Sequence, residues 1–89
     1  MLTLRDCLEL SDLTDDEVQM IADHEHIPDI VAAELGNELL HSEEGVTLIK
    51  AYMLDCIEHA RRLGDFARVD ALYSVYVKFD ASHPQSAAN

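Results

Sequence analysis

Apolar residues recur along this chain at the spacing of a helix. In residues 43–63, and again in residues 66–79, they fall three and four positions apart. This spacing is typical of a helix that buries one face, whereas a half-buried strand alternates between apolar and polar positions. The chain shows no sustained alternation of the second kind. The pattern therefore predicts an all-α fold.

Capping residues and helix breakers predict where the helices begin and end. Thr14 and Glu17 match a capping box, in which each side chain accepts a hydrogen bond from the other residue's backbone amide. A first full helix should start there and run to about His24. The apolar residues between Leu2 and Leu10 predict a short helix before it.

A second and a third helix are expected to follow. Pro28 suits the first turn of the second helix, because that position needs no amide hydrogen. This helix should end near Leu40. Ser42 can cap the third and longest helix, which should end near Leu63.

The third and fourth helices should form an antiparallel hairpin. Gly64 can adopt the left-handed conformation that ends a helix, and Asp65 can cap a fourth helix that runs to about Asp80. Each helix carries one apolar stripe, and we expect the two stripes to pack together. The third helix contributes Val46, Ile49, Tyr52, Met53, Cys56, Ile57, Ala60 and Leu63, and the fourth contributes Phe66, Val69, Leu72, Tyr73, Tyr76 and Val77, with Phe79 at its edge.

The predicted architecture is a compact bundle of four principal helices plus a short N-terminal helix. The length allows a single domain, which we place over residues 1–81. Residues 82–89 should form a flexible C-terminal tail, because Pro84 and the small polar residues after it are typical of a frayed end.

The second helix carries two acids on its predicted buried face. Helical projection places Glu34 and Glu38 within the arc of Ile27, Ile30, Val31, Leu35 and Leu39. Burying an unpaired carboxylate costs several kcal/mol by order of magnitude, so such a group normally pairs, binds a metal or becomes neutral. Three interpretations stay open: a contact with a protein partner, a metal site, or ion pairs with Arg61, Arg62 or Arg68.

The composition of this 89-residue chain excludes several classes of protein. Its apolar share of 48% is too high for a disordered acidic tail. No stretch approaches the ~20 apolar residues that cross a bilayer, and charges interrupt the N-terminus where a secretory signal needs an apolar segment. We expect a cytoplasmic protein without a membrane partner, in which Cys7 and Cys56 are reduced by default. A disulfide between them stays open and would need their Cα atoms within about 7 Å.

The charge is distributed unevenly along the chain. Asp and Glu number 18 against 6 Lys and Arg, which gives a net charge of -12. Residues 1–45 hold 13 of the acids and a single base, whereas residues 46–89 hold five of each. Nucleic acids are excluded as partners, because binding phosphates requires Lys and Arg. A basic protein surface would be attracted.

The leading hypothesis is a non-enzymatic interaction module that docks its acidic half on a basic protein surface, or that forms a homodimer. No nucleophile elbow, phosphate-binding loop or dinucleotide-binding motif occurs in the chain. No cofactor is expected on this hypothesis. The predicted interaction surface consists of Asp15, Asp16, Asp23, Asp29, Glu34 and Glu38.

The alternative hypothesis is a small metal-binding helical bundle. Carboxylates and imidazoles are suited to iron, manganese or zinc. The Glu-x-x-His pairs of di-iron bundles are absent from the chain, so the ligand spacing matches no standard site. The candidate ligands are Glu25, His26, Glu34, Glu38 and His59.

Overall fold

The computed structural model describes residues 13–85, and this part of the chain folds into four α-helices with no strand. The predicted all-α bundle of four principal helices is therefore confirmed. The short helix predicted near the N-terminus falls in residues 1–12, outside the described part. The helices are α1 (Asp15–Glu25), α2 (Asp29–Leu39), α3 (Glu43–Arg62) and α4 (Phe66–Ser82).

The helix starts are fixed by the capping residues. The Thr14 amide donates to Glu17 Oε1 at 2.9 Å, and the Glu17 amide donates to Thr14 Oγ1 at 3.2 Å, which confirms the capping box. Ser42 Oγ accepts from an amide of α3 in the same way, and Asp65 caps α4. Pro28 lies at the N-cap of α2, one position before the expected one.

α3 provides the centre of the core. Its predicted stripe is confirmed at Val46, Ile49, Met53 and Ala60, which are buried, and α3 packs against each of the other three helices. Leu63 does not belong to the stripe. It follows the last residue of α3 and is 70% exposed.

The predicted buried face of α4 is partly wrong. Phe66 is 65% exposed, Tyr73 55% and Val77 46%, whereas Leu72 and Phe79 are the buried residues of this helix. The apolar arc of α4 is wider than the surface of α3 and α1 that packs against it. One half of the arc is covered, and the other half faces solvent.

The predicted buried face of α2 is partly wrong. Ile27, Leu35 and Leu39 pack against the core, but they are only partly buried, and Val31 is exposed. The buried residues of α2 are the small ones, Ala32, Ala33 and Gly36, so the helix turns a different side to the core. Glu34 and Glu38 consequently lie on the exposed side. The small residues allow α2 to approach α1 closely, since a side chain at position 36 would meet Leu13 and Ile21. No acid of α2 needs a buried partner.

α3 and α4 form the predicted antiparallel hairpin. Gly64 adopts a left-handed φ of 75° at the turn. At the far end, the buried Lys50 Nζ contacts Asp80 Oδ1 at 2.9 Å and donates to the His83 carbonyl at 2.9 Å. Lys50 thus fixes the register of α4 against α3.

The described part of the predicted tail packs on the bundle. Ser82 is the last residue of α4, and the His83 ring stacks on Phe79 with centroids 4.2 Å apart. The Gln85 amide donates to Thr47 Oγ1 at 2.7 Å and to the Glu43 carbonyl at 3.0 Å. Residues 86–89 lie outside the described part.

The start of α3 requires a glycine at position 45. A Cβ there would lie 1.8 Å from the backbone oxygen of Leu39, at the end of α2. Gly45→Ala should lower the free energy of unfolding by at least about 2 kcal/mol, because a backbone atom cannot move aside as a side chain can.

Chemical denaturation followed by circular dichroism would measure this loss, and Gly64→Ala provides the comparison. No atom lies within 4 Å of a Cβ at Gly64, so that variant bears only the left-handed backbone strain of roughly 1–2 kcal/mol. Equal stability of Gly45→Ala and the wild type would contradict the close approach of α2 and α3.

Candidate functional site

A cleft of about 980 Å³ lies beside the corner between α1 and α2. The end of α1, the C-terminal half of α3 and the start of α4 enclose it. Its lining combines three imidazoles, acids, two guanidinium groups and a thiol. It consists of Ala22, Asp23, His24, His26, Ile27, Pro28, Asp55, Cys56, Glu58, His59, Arg62 and Arg68.

His24 connects the end of α1 to α3. Its Nε2 lies 3.0 Å from Asp55 Oδ2, and its Nδ1 lies 3.2 Å from Glu25 Oε2. The ring stacks on Tyr52 with centroids 4.3 Å apart. An imidazolium donates to both carboxylates, whereas a neutral ring can donate to one of them. His24 therefore acts as a structural clamp between the helices.

His26 ends α1 through its backbone. It adopts the left-handed conformation, with φ 57° and ψ 47°, and its amide donates to the Ala22 carbonyl. Left-handed backbone is uncommon outside glycine, although histidine is among the residues that adopt it more often than most. The conformation turns the chain sharply towards Pro28 and forms the wall of the cleft.

The arginines near the cleft are paired with acids. Arg68 Nη2 lies 3.2 Å from Asp23 Oδ2, which joins the start of α4 to α1. Arg61 Nε donates to Glu58 Oε2 at 2.8 Å, and Arg62 Nε lies 3.3 Å from Glu58 Oε1. The pairing of these arginines with Glu34 or Glu38, one of the three interpretations of the sequence, does not occur.

Two pKa values near the cleft are shifted by their surroundings. Partial burial and the neighbouring Glu25 carboxylate raise the pKa of the Tyr52 phenol. The hydrogen bond from Arg61 lowers the pKa of the Glu58 carboxyl, and the positive charges of Arg61 and Arg62 act in the same direction. Both groups therefore hold their ordinary charge states more firmly at neutral pH.

Cys56 is a free, half-buried thiol at the floor of the cleft. Its Sγ donates to the Met20 carbonyl at 3.6 Å. Burial raises the pKa of the thiol, and the carboxylates of Asp23 and Asp55 add to this effect against the opposing charge of Arg68. A raised pKa keeps the thiol protonated, which is the opposite of what a nucleophile needs.

The predicted interaction residues separate into two groups. Asp23 is paired with Arg68, and Asp29 lies partly buried at the start of α2. The other four are exposed, and within residues 13–85 none of them pairs with a Lys or Arg. Glu43 and Glu44 share these properties. We define the acidic surface as Asp15, Asp16, Glu34, Glu38, Glu43 and Glu44.

The acidic surface occupies one end of the bundle. The start of α1 lies beside the middle of α2, as the proximity of Leu13 to Gly36 shows. The end of α2 touches the start of α3 at Leu39 and Gly45. The opposite end of the bundle carries Arg61, Arg62 and Arg68. There each arginine lies within ion-pair distance of Glu58 or Asp23, so the two ends differ in how far their acids are compensated.

The candidate metal ligands do not come together. Within residues 13–85, no group of three or more His, Cys, Asp or Glu side chains is placed to hold a metal ion. Glu34 and Glu38 lie on the outer side of α2, and Glu25 pairs with His24. His26 and His59 both line the cleft. The metal-binding alternative has no geometric support in this part of the chain.

Sequence reasoning missed the polar contacts that hold the helices together. Lys50 falls between Val46 and Met53 on the apolar stripe of α3. Its position on this stripe could have indicated that the lysine is buried. The pairing of His24 with Asp55 joins residues far apart in sequence, so no local pattern could have indicated it.

Comparisons with protein-family models, with curated proteins and with solved structures find no match to this chain. None of the helices in the described part is long and apolar enough to cross a membrane.

The raised pKa of Cys56 predicts slow reaction with thiol reagents. In a Cys7→Ser variant at pH 8, Cys56 should react with a disulfide reagent at least about tenfold more slowly than in the same variant unfolded in urea, because it is both less ionised and less accessible. The rate at which the reagent's own thiolate is released measures this difference. Equal rates would show that the thiol is open and readily ionised.

The lowered pKa of Glu58 predicts a pH-dependent contribution to stability. The pKa of Glu58 is lower in the folded protein than in the unfolded chain. The stabilisation that its ionised carboxylate provides is therefore complete above about pH 4.3 and is lost as the pH falls through the folded pKa. Glu58→Gln should therefore lower the urea midpoint slightly at pH 7, and less at pH 3.

Glu34→Gln is the matched control, because Glu34 is exposed and has no Lys or Arg partner within residues 13–85. Its midpoint should stay unchanged or rise, since it removes a repelling charge. A pH-independent effect of Glu58→Gln would argue against the ion pairs with Arg61 and Arg62.

Proposed function

We propose that this protein is a non-enzymatic interaction module that docks through its acidic surface on a basic surface of a partner protein. The single observation that supports the proposal most is the grouping of six exposed carboxylates, without Lys or Arg partners in residues 13–85, at one end of the bundle. We place the protein in the cytoplasm.

The acidic surface is suited to recognition because its charges are not internally compensated. At the opposite end, Glu58 and Asp23 each have an arginine within ion-pair distance. Within residues 13–85, the basic group that comes within 4.0 Å of an acid of the acidic surface is His41, whose Nδ1 lies 4.0 Å from Glu38 Oε1. Charges of one sign raise the encounter rate with an oppositely charged surface and orient its approach.

The acids are also carried on a rigid support. Glu34 and Glu38 lie one turn apart on α2, whose other side is anchored by buried Ala32, Ala33 and Gly36. A carboxylate pair on a fixed helix loses less conformational freedom on binding than the same pair on a loop. This arrangement favours a helix or strand of basic residues as the docking element.

The proposal is tested with a fluorescent deca-lysine peptide as the basic probe, whose binding is followed by anisotropy at low and high salt. The double variant Glu34→Gln/Glu38→Gln should weaken binding about tenfold at low salt, because each exposed pair contributes roughly 0.7 kcal/mol. The difference should shrink as salt screens the charges.

A matched control carries the same change of net charge elsewhere. Ala67→Lys/Ser74→Lys makes the net charge more positive by the same two units, but through lysines at exposed positions of α4. It should weaken binding by less than threefold. Equal losses in the two variants would show that net charge alone attracts the peptide, and the proposal of a localised docking surface would then be wrong.

A further inference from the structure

We infer that the basic partner anchors one long basic side chain in a groove at the acidic end of the bundle, an inference that rests on the proposed docking function. The groove has a volume of about 400 Å³. One wall is the corner between α2 and α3, residues 40–43 with Val46, and the other is the end of α4 with the residues after it, 82–85. We call it the corner groove.

Hydrogen bonds tie the two walls of the corner groove together. Gln85 Nε2 donates to the Glu43 carbonyl at 3.0 Å and to Thr47 Oγ1 at 2.7 Å. The His83 carbonyl accepts from Lys50 Nζ at 2.9 Å. A groove whose walls are already fixed loses little conformational freedom when a side chain enters it.

The lining provides an apolar surface for the stem of a long side chain. Val46 is only 8% exposed and Leu40 is half-buried, and Pro84 contributes to the other wall. The methylenes of a lysine can lie along such a surface while the ammonium group stays at the mouth of the groove. The groove is therefore suited to a side chain that is apolar along its length and charged at its tip.

The side-chain charges around the corner groove favour a cation. Glu43 lines the groove, and Glu38 lies beside it, because its Oε1 is 4.0 Å from Nδ1 of His41, which is also in the lining. No Lys or Arg of the described part lines the groove. Lys50 reaches one wall, but its ammonium is paired with Asp80 at 2.9 Å. Two carboxylates thus remain available to a cation from the partner.

Two helix ends add partial negative charge. Leu40 is the C-cap of α2 and Ser82 is the last residue of α4, and both line the groove. The carbonyl end of a helix carries roughly half an elementary negative charge, and the last turn of neither helix contains a basic residue. The start of α3 has the opposite sign, but the Ser42 cap and Glu44 offset it. The charge at the groove is therefore complementary to a basic side chain.

Two fluorescent peptides that differ at one position test the anchor by anisotropy at low salt. The first is a deca-peptide of 2,4-diaminobutyrate, whose ammonium groups lie on stems two methylenes shorter than those of lysine. The second has a single lysine at its centre and the same charge. It should bind the full chain about fivefold more tightly, because the groove buries the additional methylenes.

Ser82→Trp tests where the lysine binds. Ser82 is exposed and lines the groove, so an indole there should fill the groove and abolish the fivefold difference without changing the net charge. Ser74→Trp is the matched control at an exposed position of α4 outside the groove, and it should keep the difference. Circular dichroism verifies that both variants are folded.

A second pair of variants does not depend on the fold of Ser82→Trp. Glu43→Gln should reduce the difference below about twofold, because the buried stem then leads to no carboxylate in the groove lining. Glu34→Gln removes an acid of the acidic surface that does not line the groove, so it should weaken the binding of both peptides alike.

The possible outcomes separate the anchor from the docking function. Equal affinities of the two peptides for the wild type would overturn the anchor, including the case in which residues 86–89 occupy the groove. So would a difference that survives in Ser82→Trp or Glu43→Gln. In either case a loss of deca-lysine binding in Glu34→Gln/Glu38→Gln would still support the docking surface. If deca-lysine does not bind the wild type at all, the proposed function is wrong and the anchor fails with it.

Discussion

The packing of α3 against the other three helices is the interaction on which the rest of the structure depends. Ile49 and Met53 are fully buried where α1, α2 and α4 meet it. Two local features allow this packing: Gly45 lets the end of α2 touch the start of α3, and Lys50 holds the end of α4 in register. In a small domain, whose stability is a few kcal/mol, each of these contacts is a large fraction of the total.

The central position of α3 also determines what the surface presents. Because α4 packs mainly on α3 and only its start reaches α1, much of α4 stays exposed, and the domain has two unlike exposed regions. One end carries carboxylates that have no Lys or Arg partner in the described part, and the outer side of α4 carries aromatic and aliphatic side chains. The proposed contact with a basic partner uses the first of these regions.

The sequence predicted the local features of the helices more accurately than it predicted how the helices pack. The starts of α1, α3 and α4 depend on capping residues a few positions away, such as Thr14, so they could be placed without knowing the fold. The orientation of α2 could not, because large apolar residues suggested one face and the small Ala32 and Gly36 are buried instead. Periodicity gives the width of the apolar arc on α4, but the neighbouring helices decide which half is covered. Of the candidate site, the excess of acids was predictable, whereas the clamp formed by His24 and Asp55 required the tertiary structure.

Native-state hydrogen exchange measured by NMR would test the central role of α3 most directly. If the packing of α3 holds the domain together, the amides of Ile49 and Met53 should exchange only through global unfolding, with a free energy equal to that from denaturation. The amides at the exposed ends of α2 and α4 should exchange at lower free energies. Exchange of Ile49 and Met53 by local opening, while α4 stays protected, would contradict the account.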